Sequence, residues 1–154
     1  MATQKLSLKL LVYKTLLLSG IALFPLAVYP TSLGKSLRIA TQESLTSSAV
    51  YGNLTTPDTV TVTLNQQSYV TVMYNSSVIK TGCLGTQLSI LSINGVQQTD
   101  SEVFSGLGTN AGGSNNINYT VQLAAGSYNF NILHRVDGCT GLWQNRSLTV
   151  LIHT

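Results

Sequence analysis

From residue 47 onward the apolar side chains of this chain recur every second residue, and no stretch there keeps the 3.6-residue period of a helix. Val60, Val62 and Leu64 alternate with Thr59, Thr61 and Thr63, and after the turn residues Asn65, Gln66 and Gln67 comes a β-branched and aromatic run at 68–74 (SYVTVMY). Residues 87–93 (QLSILSI) stop at Asn94-Gly95, the strongest short hairpin signal, and 96–104 is a weaker strand pattern. Ile117, Tyr119, Val121 and Leu123 share one face of the next strand. Ala124, Ala125 and Gly126 turn the chain, and Tyr128, Phe130, Ile132, His134 and Val136 share a face of the one after. A final strand runs over 146–153. Seven or eight short strands without crossover helices predict an all-β antiparallel sandwich, immunoglobulin-like or jelly-roll. The glycine-rich segment 106–116 (GLGTNAGGSNN) reads as a surface loop.

Composition narrows what such a sandwich does. Ser, Thr and Asn supply 47 of 154 residues and charged side chains 8%, so the surface is built from hydroxyls and amides. Lys5, Lys9 and Lys14 account for the net charge of +3; beyond them five basic residues face five acidic ones, too sparse for phosphate neutralisation, which argues against nucleic acid as a partner. Residues 1–14 are basic, 15–29 apolar, and small residues follow, the order of a secretory signal. The expected division is therefore a targeting segment at 1–34 with a cut before Lys35, an extension at 35–50, and a sandwich at 51–154. The membrane then serves only for export, and the location is the cell surface or the extracellular space. Export agrees with four N-x-[ST] sequons, at Asn53, Asn75, Asn118 and Asn145, and with one even cysteine pair, Cys83 and Cys139. A bridge between them would close a 56-residue loop, worth about 4 kcal/mol in chain entropy.

Residues for chemistry are scarce. No nucleophile elbow occurs, no serine shows a triad spacing, and neither cysteine sits in an activating context, so an enzyme is not expected. Asp100 and Glu102 would share one side of a strand, where a weak calcium site with Asn110 is conceivable, but two solvated acids are the plainer reading, and neither a metal nor a cofactor is expected. His134 reads as a structural histidine. Trp143, in an expected loop at 140–145, reads as a cap on the core, with sugar stacking as the alternative.

Residues 35–51 carry a strand pattern, with Leu37, Ile39 and Thr41 on one face and no partner at hairpin distance. Such a strand can complete the sheet of a neighbouring copy, and repeated head to tail it builds an open filament. A signal segment, a short amino-terminal strand and a Thr- and Asn-rich sandwich with several sequons together resemble the archaeal thread-like pilus subunits joined by donor-strand complementation. That resemblance implies a homopolymeric structural subunit in adhesion or biofilm formation, with Leu37, Ile39 and Thr41 in the donor strand and glycans or a host surface as further partners. The body over 54–152, in particular 121–130 (VQLAAGSYNF) and 145–152 (NRSLTVLI), also looks like trimeric jelly-roll modules of the tumour-necrosis-factor and tail-fibre type, which would make the chain a receptor- or sugar-binding module.

Overall fold

The computed structural model describes residues 33–46, 48–81, 85–105, 112–138 and 140–153, all within one compact unit spanning Thr31–Thr154. The targeting segment lies outside the described residues except for Leu33 and Gly34. Those two open the first strand, so the expected cut before Lys35 falls inside it.

Two antiparallel sheets form. Sheet I holds β1 (Leu33–Ile39), β2 (Glu43–Leu45), β5 (Ser68–Thr81), β9 (Gly112–Leu123) and β11 (Thr140–His153). Sheet II holds β3 (Ser48–Gly52), β4 (Asp58–Leu64), β6 (Gln87–Ile93), β7 (Val96–Gln97), β8 (Val103–Ser105) and β10 (Gly126–Val136). β1 and β2 are two pieces of one edge along β11, β3 and β4 two pieces along β10, and β7 and β8 two pieces along β6. Counted that way the described residues form eight strands, ordered first-eighth-third-sixth in one sheet and second-seventh-fourth-fifth in the other. First pairs with eighth, second with seventh, third with sixth and fourth with fifth. This is one long hairpin rolled into two layers, the jelly roll rather than the immunoglobulin order.

The local reasons are those of alternation. β4 buries Asp58, Val60, Val62 and Leu64 and turns its threonines outward; β10 buries Phe130, Ile132, His134 and Val136. At the Asn94-Gly95 turn both residues have positive φ, 50° and 85°, the backbone of a type I′ hairpin, and Ile93 pairs with Val96 across it. The apolar core falls into two pieces. The larger contains Val62, Val72, Leu91, Phe130, Leu148 and Val150; the smaller, Leu54, Val78, Val136 and Trp143.

Several expectations are corrected. The segment after Lys35 has a partner within its own chain, because β1 pairs residue for residue with β11 from Leu33↔Ile152 to Ile39↔Arg146. Ile39 is buried and Leu37 packs on the larger core piece, while Thr41 is an exposed bend residue outside either strand. β1 of the expected extension is thus hydrogen-bonded into sheet I. Residues 112–116 are strand, not loop, since β9 has β5 to pair with along its whole length. The weak pattern at 96–104 breaks into β7, a 3-10 turn at Thr99–Ser101, and β8. Trp143 stands in β11 and is wholly buried.

Gly141 shows how tightly that end is filled: a Cβ there would sit 2.5 Å from Gln87 Nε2 and 2.8 Å from the Trp143 ring. Gly141→Ala is expected to destabilise the fold by about 1–3 kcal/mol through overpacking, read as a lower urea midpoint at unchanged slope.

Candidate functional site: a buried polar chain between the sheets

The site begins with one extra residue in β11. Gln144 pairs with Ser77 and Ser147 with Asn75, so Asn145 and Arg146 together face the single residue Ser76. This is a β-bulge, and Asn145 takes the left-handed backbone it requires, φ 51°, which asparagine tolerates better than most residues. A bulge shifts the phase of alternation. Gly141 and Trp143 are buried before it and Arg146, Leu148 and Val150 after it, so a cation enters the sandwich. The break between β1 and β2 lies opposite, and beyond it Glu43 pairs with Trp143.

Arg146, 1% exposed, donates from Nη2 to Glu43 Oε1 at 3.0 Å and to the Thr56 carbonyl at 3.1 Å. Its Nε lies 3.2 Å from Asp58 Oδ1, an ion pair that crosses from sheet I to sheet II. Asp58 Oδ2 is 3.0 Å from His134 Nε2 and 3.4 Å from the Tyr74 hydroxyl. His134 Nδ1 is 3.1 Å from Ser89 Oγ, which accepts from Asn115 Nδ2 at 2.8 Å. A carboxylate only accepts, so His134 carries its proton on Nε2 and takes the Ser89 hydroxyl on Nδ1. The Trp143 ring centroid is 5.0 Å from that of His134, and the Tyr74 centroid 5.9 Å.

Burial pushes the His134 pKa below the usual histidine range, more than the Asp58 and Glu43 carboxylates raise it, and the imidazole stays neutral. Burial opposes ionisation of Glu43 too, but the Thr56 amide at 2.9 Å and Arg146 outweigh it and hold the carboxyl below its ordinary value. Burial followed by the Asp58 charge pushes the Tyr74 hydroxyl far up, so it stays protonated.

Ser89, His134 and Asp58 stand in the order nucleophile, base and orienting acid that hydrolases use. The sequence reading missed this constellation, which joins residues 76 positions apart. Ser89 and His134 are 0% exposed and Asp58 2%, so no substrate reaches Oγ in this conformation and the chain acts as an inter-sheet tie. The other candidates lie elsewhere. Asp100 sits in the 3-10 turn rather than a strand, Glu102 accepts a hydrogen bond from the Tyr51 hydroxyl, and Asn110 lies outside the described residues, among which no cluster of three potential metal ligands occurs. Asn53, Asn75, Asn118 and Asn145 are all exposed. Cys83 and Cys139 lie outside the described residues; Thr81 and Thr140, next to the segments that carry them, are register partners.

No protein-family model and no curated protein matches the chain. Among solved structures it is similar to a chain from the infectious bursal disease virus Gt strain (TM-score 0.54, 13% identity, covering 86% of this chain and 36% of that one). It is also similar to the VP2 subviral particle of infectious bursal disease virus (TM-score 0.51, 11% identity, 79% and 33%). The chain thus spans about a third of the length of these neighbours, and the likeness is one of fold.

Two outcomes follow from the buried chain. Arg146→Leu leaves the buried Asp58 and half-buried Glu43 carboxylates without their cation and is expected to cost about 3–5 kcal/mol in chemical denaturation. The folded state holds the His134 pKa down, so below pH ~6.5 the unfolded chain takes a proton that the native one excludes. Stability is therefore expected to fall with decreasing pH at up to ~1.4 kcal/mol per unit, and further as acid protonates Glu43. His134→Gln should flatten the slope between pH 6.5 and 5.

Proposed function

We propose that the chain is an exported structural subunit that associates with copies of itself through the body of its jelly roll, the module type set beside the pilus reading above. The observation that carries this is the seat of β1. Seven residues of it are paired to β11, with Ile39 buried and Leu37 against the core. Lending β1 to another copy would uncover the β11 edge in the lender, whereas the body stands complete without a lent strand. The hydroxyl and amide surface, and a jelly-roll order shared by coat and lectin domains in general, support a structural role. The two viral neighbours of that fold point the same way.

The filament reading keeps one supporting observation: β1 is an edge strand, reached through a single interface with β11. Exchange of β1 between copies would reuse the same register. Electron microscopy of the full chain, with circular dichroism of Leu37→Asp/Ile39→Asp, separates the two. Burying each aliphatic side chain is worth about 1.5–3 kcal/mol, so a strand needed within its own chain makes the double variant unfold or melt far lower, while the unaltered protein forms closed particles of defined mass. Open filaments from the unaltered protein and a folded, monomeric double variant would establish donor-strand assembly instead.

A further inference from the structure

The outward residues of sheet I are unlike those of sheet II. On β5 the odd positions from Tyr69 to Ile79 face out, and on β9 the even positions from Ser114 to Gln122. Asn75, Asn118 and the bulge residue Asn145 therefore lie on one outer face, on three neighbouring strands. Asn75 pairs with Asn116, which makes Asn118 its diagonal neighbour, about 7–8 Å away. Asn75 also pairs with Ser147, the hydroxyl residue of the Asn145 sequon. The hydroxyls of the other two sequons, Ser77 and Thr120, face the same way because residues two apart on a strand share a side. Glu43 is the one acid within the strands of sheet I, and it points inward. The exposed large apolar side chains are divided between the sheets, with Leu33 and Tyr69 at one end of sheet I, away from the three asparagines, and Val50, Val96 and Phe104 in β3, β7 and β8 of sheet II.

We propose that Asn75, Asn118 and Asn145 are glycosylated together, so that one carbohydrate patch covers the outer face of sheet I and copies of the chain meet elsewhere on the body. This rests on the export and self-association just proposed. Each transfer forms a bond from the asparagine amide nitrogen to the anomeric carbon of a sugar, and breaks that carbon's bond to the phosphate of a lipid-linked oligosaccharide. The lipid phosphate leaves and the amide proton passes to a base. Three such chains on neighbouring strands exclude a protein partner from that face.

The test is the full chain expressed in a secreting cell that performs N-glycosylation. A second version carries a heterologous secretory leader ahead of Met1, so that delivery does not depend on the chain's own segment. Peptide mapping after enzymatic deglycosylation, which converts each occupied asparagine to aspartate, reads occupancy, and mass photometry reads the assembly. The expected result is occupancy at all three positions and an unchanged oligomer mass, less the glycans, in Ser77→Ala/Thr120→Ala/Ser147→Ala, a variant that removes the sequons while keeping the Asn145 bulge. Folded, delivered protein with these asparagines bare would overturn the patch. A different assembly in the triple variant would overturn the exclusion of partners from that face. A monomer in every sample would count against self-association, and occupancy would still decide the patch.

Discussion

A guanidinium with no access to water must be neutralised by fixed partners, and Arg146 meets that requirement by drawing on both sheets. Glu43 and the Thr56 carbonyl hold it from the chain between β1 and β4, and Asp58 holds it from β4 itself. Asp58 then fixes the tautomer of His134, and His134 orders the Ser89 hydroxyl. Apolar contact alone sets neither the slide of one sheet over the other nor the rotation between them. Hydrogen bonds from Asn115 through Ser89 and His134 to Asp58, continued by the ion pair to Arg146, have members in both layers and constrain both. Buried ion pairs add little net stability over well-packed apolar residues, so the role argued for this one is the selection of a single alignment.

The bulge at Asn145 is the condition for all of this. It places Trp143 and Arg146 on the same side of β11 although they stand three positions apart. Trp143 then stacks near His134 in the smaller core piece, and Gly141 leaves room for its ring. The asparagine that permits the turn of backbone is also the first residue of an N-x-[ST] sequon.

Much of the fold was legible because alternation is a local signal. The strands at 59–64, 87–93 and 128–136 are where the pattern puts them, as is the Asn94-Gly95 hairpin. Asp58 continues the inward phase of Val60, Val62 and Leu64, and His134 that of Phe130 and Ile132, so both halves of the central pair could have been placed inside from the sequence. Their meeting could not, because it depends on β4 lying beside β10. The strand that holds Trp143 was misread: alternation counted back from Leu148 loses phase at the bulge, and 140–145 then looks like a loop. The partner of β1 was invisible for a different reason. Its mate begins more than a hundred residues later, and no local pattern announces a pairing between the two ends of a rolled hairpin.

That pairing has a consequence for when the molecule becomes a folded object. β11 is the last strand of the chain, yet it lies between β1 and β5 in sheet I. Until residues 140–153 have left the ribosome, β1 has no neighbour and the Arg146 cation is absent from the interior that Glu43 and Asp58 are to share. An incomplete chain can close the β6–β7 turn and pair β5 with β9, but it cannot assemble sheet I, and non-local closures of this type are slow. Assembly of sheet I therefore waits for the strand that carries Trp143 and Arg146, and the tie between the sheets closes only with it.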